Sequence, residues 1–130
     1  MQEFYMLIHF QEKKMVRKTD IEIVLKSKKK GYYRTIGDAL ANAKNLDKIF
    51  IHHGEYHEDI YCKKSVHIEA VDPEVTIIAT KRPCFMVSCP GGTIFMKGIK
   101  FLQQGTGDVD GVSLKKGNLH LENCVIGKSI

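Results

Sequence analysis

With 130 residues, 43% of them hydrophobic, and a formal net charge of +5, the chain has the size and apolar content of one domain with its own core. It contains no run of about 18 apolar residues, so the sequence predicts no membrane-spanning helix. The charge is uneven, because residues 1–34 hold nine basic and four acidic side chains whereas residues 35–130 hold eleven of each. The basic excess therefore belongs to the N-terminal segment.

The segment at 1–19 is predicted to form a strand and a basic stretch, separate from the remainder of the chain at 20–130. The apolar run at 4–10 follows Glu3 and precedes no small-residue cleavage site, so a strand is a better interpretation than a signal peptide. Another strand is predicted at 20–26, where apolar and polar residues alternate.

A run of lysines at 28–30 follows this second strand. Such a run can contact nucleic acid or an anionic surface. Neither an aromatic platform nor a recognised binding motif accompanies it, so we interpret it as a solvated loop between Leu25 and Tyr33. We expect no nucleic-acid partner.

A helix is predicted at about 35–45. Thr35 stands at the N-cap position with Asp38 three residues later, which resembles a capping box. Asn45 is a suitable residue for the end of the helix. One stripe of the helix is apolar and consists of Ile36, Ala39, Leu40 and Ala43.

Pairs of apolar residues, each separated by one position, recur along the chain with a nearly constant period, which is typical of stacked repeats. The first series is Ile23/Leu25, Ile49/Ile51, Val75/Ile77, Ile99/Phe101 and Cys124/Ile126. The second series is Ile60/Cys62, Phe85/Val87 and Val112/Leu114. The third series is Val66/Ile68, Ile94/Met96 and Leu119/Leu121. Each repeat of about 25 residues therefore holds three short strands.

Three strands per repeat predict an all-β fold, a parallel β-helix of three to four turns in which each strand pairs with its equivalent one repeat away; its right-handed sense is what the resemblance described next implies. Gly98 and Asn123 occupy equivalent positions between the second and third strands, where a left-handed backbone is useful. We expect the helix to cover one end of the stack.

Two segments of the sequence resemble right-handed β-helix proteins of the pectin-lyase-like superfamily. The segment at 33–40 is similar to the helix that opens those proteins, and the segment at 47–58 is similar to the short strand and His-Gly-x-Tyr-x-Glu turn that follow it. The segment at 117–126 looks like one parallel β-helix repeat. Among intracellular members, the chain most resembles the SHC SH2-domain-binding protein family, with the β-helix F-box proteins as the alternative.

The densest set of potential metal ligands lies at a predicted strand exit and consists of His52, His53, Glu55, His57, Glu58 and Asp59. Ligands on such a turn are not expected to converge on one ion, so we interpret them as structural. The glycine-rich segment at 105–111 carries Asp108 and Asp110, which could bind calcium or act as an acid and base. Two acids are few for a calcium site, and an ordinary loop is the favoured interpretation.

Four cysteines, Cys62, Cys84, Cys89 and Cys124, show neither Cys-x-x-Cys spacing nor a matching histidine pair. Because no secretory signal is recognised, we expect free buried thiols and a cytoplasmic location. The sequence therefore predicts no catalytic residue, no cofactor and no metal site.

The resemblance implies a non-enzymatic scaffold that binds a signalling, cytoskeletal or spindle protein. The alternative that it implies is a carbohydrate-active enzyme, a polysaccharide lyase or hydrolase, or a glycan-binding module. A strand directly precedes Ile130, which predicts an uncapped stack. We expect an N-terminal part of a longer protein, a shortened isoform, or self-association through that end.

Overall fold

A computed structural model describes residues 4–6, 15–17, 21–24, 30–105 and 108–128, with side chains described from residue 31 onward. These residues form thirteen strands and one helix. In chain order the elements are β1 (Phe4–Met6), β2 (Met15–Arg17), β3 (Ile21–Val24), β4 (Lys30–Tyr33), α1 (Ile36–Asn42), β5 (Lys48–Ile51), β6 (Gly54–His57), β7 (Ile60–Cys62), β8 (His67–Ala70), β9 (Val75–Ala79), β10 (Phe85–Lys97), β11 (Ile99–Gln103), β12 (Val112–Glu122) and β13 (Val125–Lys128). The fold is therefore dominated by strands.

The N-terminal elements pair antiparallel. Strands β1 and β2 form a sheet of their own, and the predicted strand near the N-terminus is confirmed over Phe4–Met6. Strand β3 pairs antiparallel with both β4 and β5. The predicted loop up to Tyr33 is thus wrong in part, because Lys30–Tyr33 is a strand; Lys28 and Lys29 lie outside the described residues.

The remaining strands lie in two sheets and pair parallel with one another. One sheet has the order β12-β10-β8-β5-β3-β4, with β7 also paired to β10, and the other has the order β13-β11-β9-β6. Equivalent residues one repeat apart are direct neighbours, so the predicted repeat length is confirmed for the last three repeats. The aligned rows are Ile60–Phe85–Val112, Ile68–Met96–Leu121 and Ile77–Phe101–Ile126.

Two pairs of the first predicted series are placed differently by the structure. Ile49 pairs with Ile68 of the third series rather than with Val75, and Ile23 pairs antiparallel with Ile49. The strand that aligns with Val75 is instead β6. The error arises because all three series carry the same apolar pair, so that period alone does not identify which neighbour a strand adopts. Leu25 lies outside the described residues.

Two strands are longer than predicted. In one repeat, the apolar pairs of the second and third series lie in a single strand, β10, which spans 13 residues. In the next repeat, the corresponding two pairs lie in the single strand β12. The register shifts around Ser88 and before Thr93. The chain therefore bends within the strand, at the Pro-Gly-Gly segment at 90–92.

The left-handed corners are confirmed at both predicted residues. Gly98 has φ 78° and Asn123 has φ 52°. Glu74 adopts the same conformation, with φ 67°, at the corner of the preceding repeat. A Cβ at Gly98 would lie 3.2 Å from the Ala70 Cβ, so this corner favours glycine for its space as well as its φ.

The helix is confirmed but is shorter than predicted. It spans Ile36–Asn42, and the Thr35 side chain accepts a hydrogen bond from the Asp38 N–H, as the N-cap interpretation requires. It ends before Asn45 because Ala43 already has an extended backbone. The predicted apolar stripe is buried.

The core lies between the two parallel sheets and beneath the helix. Phe85 and Phe101, both fully buried, meet edge to face across the interior with ring centroids 6.2 Å apart. The inward row Ile77–Phe101–Ile126 is 0%, 0% and 52% exposed in turn, so the Ile126 side chain on β13 is only half covered. Among the described residues, no helix is long and apolar enough to cross a membrane.

Candidate interaction surface

The histidine-rich and acidic segment at 52–59 does not converge on one point. His52 is buried, and its Nδ1 lies 3.6 Å from the Asp72 Oδ2. His53 lies near Glu74, 3.9 Å away, and His57 lies near Glu55, 3.8 Å away. Within the described part of the chain, no three His, Cys, Asp or Glu side chains are placed to hold a metal ion.

Burial lowers the pKa of the His52 imidazole, although the nearby Asp72 carboxylate acts in the opposite direction. The Tyr56 hydroxyl donates a hydrogen bond of 2.7 Å to the His52 carbonyl oxygen. His52 is therefore a buried, neutral side chain, and its backbone carbonyl, as the acceptor from Tyr56, holds the turn between β5 and β6. The expectation of a structural role fits this geometry, although the sequence did not indicate that His52 is buried.

Glu58 and Lys64 hold the two ends of α1. The Glu58 carboxylate accepts hydrogen bonds of 2.8 Å from the Ile36 N–H and 2.9 Å from the Gly37 N–H. The Lys64 ammonium donates to three carbonyl oxygens at the other end, those of Leu40, Ala41 and Ala43. Each charge opposes the helix dipole at its own end, so both residues have a structural role.

The other sequence candidates are dispersed. Asp108 and Asp110 are exposed on a loop. Residues 106–107 of the candidate calcium segment lie outside the described residues. The four cysteines are free thiols, three of them buried and Cys124 partly buried. Burial raises the pKa of the Cys62 and Cys84 thiols, which keeps them protonated and poorly nucleophilic.

The most organised set of side chains lies on the outer face of the larger sheet. Lys48, His67, Phe95 and His120 are direct neighbours on β5, β8, β10 and β12, and we call them the aromatic row. The His67 ring centroid lies 4.6 Å from that of Phe95 at an interplanar angle of 41°. On the other side, His120 stacks on Phe95 at 4.8 Å and 12°.

A second row lies two residues further along each strand. Glu69, Lys97 and Glu122 are direct neighbours there, and we call them the charged row. Lys97 lies 3.9 Å from Glu122, and His67 of the aromatic row lies 3.1 Å from Glu69. The two rows together form an outer face with a partly exposed aromatic centre and a polar surround. This composition is typical of protein interfaces.

Sequence reasoning missed this face, although the spacing contained it. Phe95 follows His67, and His120 follows Phe95, by the same steps that separate the inward residues of the third series. Those steps mark a recognisable repeat only among the apolar residues, which face inward. The same register, read one residue earlier along the strand, aligns the outward side chains.

A groove of about 730 Å³ follows the left-handed corners on the outside of the smaller sheet. Its polar lining includes His53, Glu55, Glu74 and Lys100, and Val125 lies among them. These charges are of mixed sign. The groove therefore shows no preference for one class of ligand.

Comparisons of the chain with protein-family models, with curated proteins and with solved structures find no match.

Proposed function

We propose that residues 20–130 form a right-handed parallel β-helix module that binds a protein partner through the aromatic row and the charged row. The β-helix is supported by three parallel ladders that share one repeat length and by left-handed corners in successive repeats. In this architecture α1 takes the position one repeat before β7, in the ladder that contains the row Ile60–Phe85–Val112, which is consistent with its contacts to β7. The antiparallel strands β3 and β4 precede the first turn.

The arrangement of Phe95 is the observation that carries the functional proposal. An aromatic side chain that is partly exposed, central and surrounded by polar groups is the usual anchor of a protein interface. The hydrogen bond between Glu69 and His67 and the ion pair between Lys97 and Glu122 form a rim of this kind. Because the strands on either side are hydrogen-bonded into the sheet, the face is rigid before binding and loses little entropy when a partner docks.

Binding of a glycan is less favoured by the same geometry. Aromatic platforms that bind sugars present a free ring face to the ligand. Both faces of Phe95 are occupied, one by His67 and the other by His120, so that only the ring edge remains for a partner. A ring edge is better suited to side-chain and backbone groups of a protein.

The resemblance to the SHC SH2-domain-binding protein family leads us to propose a signalling, cytoskeletal or spindle partner in the cytoplasm, and no enzymatic activity. Incubation with polygalacturonate, with and without calcium, tests the enzymatic alternative. Appearance of unsaturated product, measured by ultraviolet absorbance and lost in an Asp108→Ala/Asp110→Ala variant, would replace the binding proposal with a lyase.

Quantitative capture of proteins from cell lysate tests the proposed surface. We expect the wild-type chain and a Tyr61→Ser variant to retain the same specific proteins, and a Phe95→Ser/His120→Ala variant to lose them. Tyr61 is the matched control, since it is an outward aromatic residue, 50% exposed, on β7. Retention of the same proteins by the Phe95→Ser/His120→Ala variant would show that the partner binds elsewhere.

A further inference from the structure

We infer that the partner segment bound by the aromatic row is acidic, with a line of carboxylates that crosses the four strands. This inference rests on the proposed binding function and adds the chemistry of the partner. It follows from three properties of the aromatic row: the orientation of its rings, the placement of its charges, and the boundary that the charged row sets beside it.

The rings present their positive parts to the outside. The face of an aromatic ring is electron-rich and its edge is electron-poor. In the row, His120 stacks on Phe95 with ring centroids 4.8 Å apart, and His67 lies on the neighbouring strand on the other side with centroids 4.6 Å apart and a tilt of 41°. What a partner meets is therefore a line of ring edges with partial positive charge, together with imidazole nitrogens that can donate hydrogen bonds.

Side chains that can donate hydrogen bonds to a carboxylate stand at the ends of this line. Lys48 is exposed at one end and His120 is exposed at the other. Among the described side chains, neither one has a carboxylate within ion-pair distance, whereas His67 in the middle is engaged by Glu69. Since neighbouring strands lie about 4.8 Å apart, the row is about 14 Å long. An extended segment with carboxylates on one side can follow this length within about five residues.

The charged row lies beside the aromatic row and bounds its line of electron-poor ring edges on one side. Glu69 and Glu122 lie two residues beyond His67 and His120, about 7 Å further along their strands. Lys97 lies between them and is paired with Glu122. A carboxylate placed over the charged row would meet Glu69 and Glu122, whereas at the Lys48 and His120 ends of the aromatic row it would meet no described carboxylate within ion-pair distance. The acidic edge of a partner is therefore directed to the aromatic row.

Fluorescence anisotropy with three labelled peptides tests the inference. Each peptide has about 12 residues and a central leucine; the first alternates glutamate with serine, the second has glutamine for glutamate, and the third has lysine for glutamate. At about 0.05 M salt we expect the glutamate peptide to bind at least about tenfold more tightly than the glutamine peptide, and the lysine peptide to bind least.

Charge-reversal variants of the folded chain locate the binding. We expect a Lys48→Glu/His120→Glu variant to lose affinity for the glutamate peptide at least about tenfold, and Glu122→Lys, the matched reversal in the charged row, to lose none. All three side chains are exposed, and circular dichroism checks that each variant is folded. Equal affinity for the glutamate and glutamine peptides, or no binding of either, overturns the inference. Either result leaves the proposed function standing if, in the lysate experiment, the Phe95→Ser/His120→Ala variant fails to retain the proteins that the wild-type chain retains.

Discussion

Strands β8, β10 and β12 carry two rows of side chains that differ in what they contribute. The inward row consists of Ile68, Met96 and Leu121, of which the first two are fully buried. The outward row, one residue earlier on each strand, consists of His67, Phe95 and His120 and remains accessible. Both rows follow the same repeat, but only the inward row was recognisable as a pattern of apolar residues. The difference shows that a regular stack can be held together by one side of a strand while the other side is free for recognition.

Adjacent residues of β10 provide the strongest test of this separation. We expect Met96→Ala to lower the free energy of unfolding by about 2–5 kcal/mol, because it leaves a cavity in the core. Phe95→Ala removes two ring contacts on the surface and should cost about 1–2 kcal/mol. Urea unfolding followed by circular dichroism measures both values. Equal losses at the two positions would mean that the outer face is part of the stabilising structure.

The inward row should itself weaken towards β13. Ile77 and Ile126 are equivalent isoleucines of the smaller sheet, 0% and 52% exposed. We expect Ile77→Ala to lower the free energy of unfolding by about 2–4 kcal/mol and Ile126→Ala by about 1 kcal/mol, because about half of the second side chain is already in water. The same unfolding experiment measures the difference. A larger loss for Ile126→Ala would show that this end of the stack is covered in solution.

A smaller loss of stability is expected at Glu58, one of the two charged side chains that hold the ends of α1. Glu58→Gln keeps the shape of the side chain but removes the charge that faces two backbone N–H groups, and we expect a loss of about 1–2 kcal/mol in the free energy of unfolding. Glu55→Gln, on the exposed side of β6, is the matched control and should cost less than about 0.5 kcal/mol. Thermal unfolding at low salt compares the two variants. A Glu58→Gln variant as stable as the control would show that the carboxylate does not cap the helix.

The buried imidazole of His52 predicts a loss of stability in acid. Burial lowers its pKa below the usual value of 6.5, so the unfolded chain binds this proton more readily than the folded chain. Its contribution to stability is complete above pH 6.5 and decreases as the pH falls towards the lowered pKa. The slope cannot exceed about 1.4 kcal/mol per pH unit for one proton.

Unfolding free energies measured between about pH 7.5 and pH 5 test this prediction in two variants. We expect His52→Gln to flatten the dependence on pH and His57→Gln, a change at an exposed histidine, to leave it as in the wild-type chain. The same slope in all three proteins would remove His52 as its source.

Much of the strand register could be predicted from the sequence, because a buried row of apolar residues with a constant step leaves few alternatives. The N-cap at Thr35 and the corners at Gly98 and Asn123 follow from local chemistry and were also correct. The position of Ile49 could not be predicted, since its apolar pair fits two ladders equally well. The end of α1 was missed because its last carbonyl groups accept hydrogen bonds from Lys64, which is distant in sequence.

The candidate surface was harder to anticipate than the fold. Outward residues of a stack are not constrained to be apolar, so Phe95 and its two histidines form no recognisable motif in the sequence. They become neighbours only when the pairing of β8, β10 and β12 is known. The histidine-rich segment at 52–59 was conspicuous for the opposite reason. Its residues are close in sequence, but their side chains contact different partners rather than one common site.

Site-specific photo-cross-linking tests the central claim most directly. A benzoyl-phenylalanine is introduced in place of Glu122, beside the aromatic row, or in place of Lys100, an exposed residue on the smaller sheet. We predict that a protein retained from lysate becomes cross-linked from position 122 and not from position 100. Cross-linking from position 100 alone would contradict the account and would assign the binding surface to the other sheet.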